Sequence, residues 1–228
     1  MKYFENMWLT SVVSGIALTL LSFIVGKSLG WFDVINWLEV FAVFTSFVCT
    51  ILCNYQSRWN YPIGIISQIA LFILTWQAGL YAVATFNLYL VASLTYGFFF
   101  WRSDDNTIPV TYATNWLGYA TFGLALAAVY YGVVYFIQPE AVATVSKIEV
   151  WLAAMSGIAQ LLLDRKKIQT WGIWALINVV SIPFYISVGL YFVAFQYMFF
   201  LVNTYIGYRA WKKTIYYEDT IILNERTV

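Results

Sequence analysis

From Ile168 to Tyr208 the chain reads IQTWGIWALINVVSIPFYISVGLYFVAFQYMFFLVNTYIGY, without a single charge. A membrane-crossing helix needs about 20 mostly apolar residues, so this stretch is long enough for two. Its natural break is Ser187-Val188-Gly189, which gives spans Thr170–Ile186 and Leu190–Trp211. The uncharged stretch between Arg58 and Arg102 behaves in the same way. It breaks at Gln77-Ala78-Gly79 into Asn60–Trp76 and Leu80–Trp101, with Pro62 tolerated in a first helical turn.

Working outward, four more spans emerge: Trp8–Gly26, Leu38–Cys53, Ala113–Ile137 and Ile148–Leu163. A polar connection over 102–106, the turn Gln138-Pro139-Glu140 and the charged loop Asp164-Arg165-Lys166-Lys167 separate them. The expected fold is therefore an all-α integral membrane protein of about eight transmembrane helices. Composition agrees: 62% of residues are hydrophobic and 10% charged, against roughly 25% charged in soluble domains. Lipid must solvate much of this surface. The N-terminal apolar segment lacks a basic leader and cleavage site and is read as retained.

Charge tests the span count. With eight spans, one side collects Lys2, Arg58, Arg102, Arg165, Lys166, Lys167, Arg209, Lys212, Lys213 and Arg226, and the other only Lys27 and Lys147. Such a positive-inside bias puts both termini in the cytoplasm.

The two long hairpins also align with each other at an offset of 110 residues. Gly79-Leu80-Tyr81-Ala82-Val83-Ala84 falls on Gly189-Leu190-Tyr191-Phe192-Val193-Ala194, and Gly97 and Trp101 fall on Gly207 and Trp211. The expected organisation is an accessory helix and loop (1–37), a three-helix repeat (38–105), a linker helix (106–147), a second repeat (148–213) and a cytoplasmic tail (214–228). One intervening span leaves the repeats parallel, a symmetry that places solute sites near the midplane between the halves.

Function has few chemical routes here. There is no histidine, hence no imidazole ligand or histidine-activated nucleophile. Cys49 and Cys53 fit apolar packing rather than a disulfide or a metal pair. A net charge of +1 gives no case for nucleic acid. Glu39, Glu149 and Asp164 stand at span ends, and the two glutamates read as caps, so ion coupling and acid–base catalysis both lack residues. No cofactor or metal is expected.

What remains is aromatic and amide chemistry. Trp171, Trp174 and Asn178 share one helix face at i, i+3 and i+7; their counterparts at the offset are Tyr61, Gly64 and Gln68. Trp171 taken alone also fits an interfacial aromatic belt. Amides in hydrocarbon need partners inside the bundle, so Gln68, Asn87, Asn178, Gln196 and Asn203, with Tyr197 beside Gln196, are either interhelical hydrogen bonders or solute ligands. The set suits a flat ring bearing hydroxyls, including a cationic one.

At these residues the chain resembles the PnuC family of bacterial vitamin transporters. The match rests on Arg165-Lys166, Trp171-x-x-Trp174-x-x-x-Asn178, Gly189-x-Tyr191, Gln196-Tyr197 and Gly207-x-Arg209-x-Trp211 in the second half. In the first it rests on Asn60-Tyr61-x-x-Gly64, Tyr81-Ala82 and Tyr96-Gly97-x-x-x-Trp101. The resemblance implies a SWEET-like fold, a homo-trimer in the bacterial inner membrane, and facilitated uptake of nicotinamide riboside trapped by a cytoplasmic kinase. It puts Trp171, Trp174 and Asn178 on the nicotinamide and ribose. Thiamine is the alternative vitamin, since Asn87 and Gln196 depart from the family pattern.

Overall fold

A computed structural model of the chain describes residues 2–31, 35–101, 109–137 and 147–225. The connection at 102–106, the turn at 138–140 and Arg226 lie outside them. Eight helices occur among the described residues: α1 (Lys2–Ser28), α2 (Trp37–Asn54), α3 (Asn60–Gln77), α4 (Tyr81–Phe100), α5 (Trp116–Ile137), α6 (Lys147–Asp164), α7 (Thr170–Ser187) and α8 (Tyr191–Glu225).

Five of them are long and apolar enough to cross a membrane by composition: α1, α2, α4, α5 and α7. The other three fall short because of polar residues within them: Asn60, Ser67 and Gln68 in α3, Lys147, Glu149 and Asp164 in α6, Gln196 and Asn203 in α8. Most of these residues face an internal cavity, which is how a helix can be too polar for lipid and still belong to a membrane bundle. The outer surface is apolar instead. Leu117 and Leu124 of α5 are 77% and 72% exposed, a packing for which lipid is the fitting solvent.

Helix neighbours explain where the cavity lies. In chain order α2, α3 and α4 pack side by side, as do α6, α7 and α8; α2 then meets α8, and α4 meets α6. Six helices thus close a ring. Outside it, α5 leans on α4 and α6, and α1 on α2 and α8. The ring's apolar core joins Val43 and Phe47 of α2 to Ile177 and Phe184 of α7 and Val193 of α8.

Sharp turns make the hairpins. Gly79 and Gly189 sit at φ +74° and +78°, a backbone region open to glycine without steric cost. Each ends its helix with paired carbonyl contacts. Leu80 N–H reaches the Thr75 carbonyl at 2.9 Å and Leu190 N–H the Tyr185 carbonyl at 3.0 Å, the Schellman arrangement.

Three elements differ from the sequence expectation. Helix α5 starts at Trp116 rather than Ala113, because residues before it are stitched to the α6–α7 turn. Thr111 N–H donates to the Lys166 carbonyl and Ile168 N–H to the Thr111 carbonyl, both at 3.0 Å, while Gln169 Oε1 accepts from Ala113 N–H at 2.9 Å. Helix α8 runs on to Glu225, since nothing in 212–225 is a glycine or proline that would stop it. Finally, the charged loop is not a solvated one throughout: Asp164 and Lys166 are buried. Lys166 Nζ donates to Gln56 Oε1 at 3.1 Å and lies 4.7 Å from the Trp101 ring centre.

Candidate functional site

The ring encloses a cavity of about 170 Å³, room for roughly ten waters or one small solute. Helix α7 gives it a continuous face, Trp171, Trp174, Asn178, Ser181 and Tyr185, at the spacings that keep side chains on one side of a helix. From α8 come Gln196, Tyr197, Phe200 and Asn203; from α3, Asn60, Gly64, Ser67 and Gln68; from α4, Phe86 and Asn87. The Tyr185 and Tyr197 rings stack at 5.1 Å with 12° between planes, which closes the wall between α7 and α8.

The amides separate into two kinds. Asn87 Nδ2 donates to Thr75 Oγ1 at 3.2 Å, and Asn203 pairs with Asn54 across α2 and α8. These serve helix–helix contact. By contrast, both polar atoms of Asn178, Oε1 of Gln68 and of Gln196, Nε1 of Trp171 and the hydroxyl of Tyr130 are buried without a hydrogen-bond partner, and all five side chains line the cavity. An unmet buried donor or acceptor costs about 1–3 kcal/mol. Polar atoms left this way around one cavity are groups for a polar guest to satisfy.

Of the nine residues picked out from sequence, eight line the cavity: Gln68, Asn87, Trp171, Trp174, Asn178, Gln196, Tyr197 and Asn203. Tyr61 does not. It is fully buried, edge-on to Trp101 at 5.1 Å and 89°, in the space that Gly97 leaves beside it. Trp171 has the corresponding neighbours, Gly207 and Trp211, yet it also reaches the cavity. At 4% exposure it is no belt residue. Gly64 leaves little room opposite, because Cys49 and Leu94 close on it.

Sequence reasoning missed α2 and α6 as walls. Ser46, Cys49 and Cys53 line the cavity from α2, Glu149, Ser156 and Gln160 from α6, and Tyr130 from α5. Gln160 carried a readable signal, an amide in an apolar span. It donates from Nε2 to Asp164 Oδ1 at 2.8 Å, while Ser93 Oγ donates to Oδ2 at 2.7 Å. Glu39, outside the lining, accepts from the Val193 N–H at 3.3 Å and so caps the start of α8. Among the described lining residues Glu149 is the one charged side chain.

The sequence model of the nicotinamide mononucleotide transporters matches residues 36–213. The chain belongs to that family. Two curated members are similar to it: the nicotinamide riboside transporters PnuC of Escherichia coli (strain K12) and of Shigella flexneri. Each is 22% identical over 209 residues, covering 80% of this chain and 87% of its own. A crystal structure of the vitamin B3 transporter PnuC shares the fold at a TM-score of 0.70 and 18% identity, covering 91% of this chain and 97% of that one. The protein is thus a multi-pass membrane transporter of the nicotinamide mononucleotide transporter family, a family of carriers rather than enzymes. Its matched region begins at the start of α2, which leaves α1 outside.

Proposed function

We propose that the protein carries nicotinamide riboside across the bacterial inner membrane by facilitated diffusion. One observation carries the choice of a riboside: among the described residues the cavity is lined by aromatic rings and unpaired amides and by no lysine or arginine. A mononucleotide's phosphate would enter a low-dielectric site without a counter-charge, which is costly. A riboside brings only a flat cationic ring, for Trp171 and Trp174, and hydroxyls, for Asn178, Gln68 and Gln196.

The same cavity supports trapping. A carrier without ion coupling only equilibrates its solute, and phosphorylation inside the cell converts that solute into a form this lining does not suit. The lysine and arginine asymmetry supports cytoplasmic termini. Two parallel three-helix repeats, 38–105 and 148–213, joined by 106–147 and flanked by 1–37 and 214–228, fit the geometry as well. The left-handed residues Gln56 and Lys166, the turns at Gly79 and Gly189, and the edge-on pairs Tyr61–Trp101 and Trp171–Trp211 all recur 110 residues apart.

The test is calorimetric titration of the detergent-purified protein with nicotinamide riboside, its mononucleotide, thiamine and riboflavin. Micromolar binding of the riboside alone is the expected result. Binding of thiamine in its place would move the function to that vitamin, and silence from all four with folded protein would overturn the proposal.

A further inference from the structure

Outside the ring α1 leans on α2 and α8, and a second hollow opens between the three. It is an open groove of about 750 Å³, larger than the solute cavity. Leu18 of α1, Ile51 of α2 and Phe199 and Ile206 of α8 make its walls apolar. Its lining follows α8 from Phe199 to Thr214, a rise of about 22 Å at 1.5 Å per residue. A bilayer with its headgroups is about 40–45 Å thick, so the groove runs the depth of one leaflet.

One end of it is polar. Just beyond α2, Gln56 Nε2 donates to Thr214 Oγ1 at 3.0 Å, and Lys213 lines the groove beside Thr214 with its side chain exposed. Among the described lining residues Lys213 is the one charged side chain. Apolar walls of leaflet depth that end in an ammonium and hydrogen-bonding groups match a molecule with long hydrocarbon chains and an anionic phosphate head. A soluble solute would leave the walls unmatched, and a neutral lipid the cation. The groove also adjoins the solute cavity. Asn203 lines both hollows, and Asn54, its hydrogen-bond partner, lines the groove, so an occupant packs against the seam of α2 and α8.

We propose that this groove binds one anionic glycerophospholipid, its phosphate at Lys213, Thr214 and Gln56 and an acyl chain along Leu18, Ile51 and Phe199, and that the lipid braces the α2–α8 seam from outside. The lipid comes from the leaflet on the side where α8 carries its basic residues. The inference holds whichever solute the carrier takes.

The full chain, purified in detergent and stripped of lipid, is titrated with phosphatidylglycerol and separately with phosphatidylcholine of the same acyl chains. Native mass spectrometry reads the bound lipid, and thermal unfolding reads the seam. Wild type is expected to hold one phosphatidylglycerol more tightly than phosphatidylcholine and to melt at a higher temperature with it. Lys213→Gln should weaken phosphatidylglycerol about fivefold, the scale of one basic residue at an anionic surface, and bring the two lipids level. Lys212→Gln, outside the lining, should stay within about twofold of wild type. Ala17→Phe puts a ring into the groove from an exposed position and should lose both lipids. Equal binding of the two lipids by wild type would overturn the inference. So would equal losses in Lys212→Gln and Lys213→Gln, which mean a diffuse attraction to the basic end. Ala17→Phe that keeps its lipid but changes the mass of the assembly overturns it too, since the groove then seats a second copy of the chain. If Ala17→Phe does not fold, the comparison of Lys213→Gln with Lys212→Gln decides alone.

Discussion

Asn54 and Asn203 hydrogen-bond to each other in both directions, Asn54 Nδ2 to Asn203 Oδ1 at 2.7 Å and Asn203 Nδ2 to Asn54 Oδ1 at 3.2 Å. The first is the last residue of α2 and the second lies on α8, so the pair fastens the seam where the two ends of the ring meet. Asn203 borders the cavity as well. Its amide already has a partner at each end, which suits a clasp between the two helices.

Truncating one amide of this clasp strands the other. Asn203→Ala should lower stability by about 1–3 kcal/mol, and Asn54→Ala by a similar amount. The double variant should cost clearly less than the two added together, because its second truncation removes a group already orphaned. Unfolding in detergent measures all three. Additive losses would show that the amides do not depend on each other.

Asn178 predicts the opposite relation between stability and function. It is 1% exposed and neither amide atom has a partner within the protein, so its burial carries a desolvation cost that no protein hydrogen bond offsets. Asn178→Leu removes that cost at similar volume. The variant should melt at or above the wild-type temperature while riboside binding falls at least tenfold. A destabilised variant that still binds would mean that Asn178 serves the fold.

Glu39 gives a purely structural prediction. Its carboxylate takes up the Val193 N–H at the start of α8, one of the donors a helix cannot satisfy for itself. Glu39→Ala should cost about 1 kcal/mol of stability, and Glu39→Gln, which keeps an acceptor, less. Riboside affinity of the folded variants should be unchanged in the same titration.

Much of this arrangement was legible in the sequence, for identifiable reasons. Span ends came out within a few residues wherever charge or glycine marks them, as at Gly79 and Gly189, since lipid tolerates little else at a helix end. Eight of the nine residues singled out line the cavity, because amides and tryptophans on one face of an apolar helix stand out. Burial of Asp164 and Lys166 was not legible, because it depends on Gln56, Ser93 and Trp101 from distant parts of the chain. Tyr61 lies off the cavity for a related reason. Its spacing matches that of Trp171, but whether a ring turns toward the cavity or behind it is decided by neighbours across the helix interface.

Those neighbours allow the last distinction to be tested. A methyl group added at Gly207 would fall inside the Trp171 ring, and one added at Gly97 would meet the Tyr61 ring and the Asp164 carboxylate. Neither ring has room to yield, since Trp171 is held edge-on by Trp211 at 5.3 Å and Tyr61 by Trp101. Overpacking of this kind costs about 1–3 kcal/mol, so Gly97→Ala and Gly207→Ala should both lower the melting temperature. Only Gly207→Ala displaces a ring that lines the cavity. Riboside affinity should therefore drop in Gly207→Ala and hold in folded Gly97→Ala, read by calorimetry beside the melting curves. An equal drop in both would bring Tyr61 back into the site and make the two aromatics equivalent in function as well as in spacing.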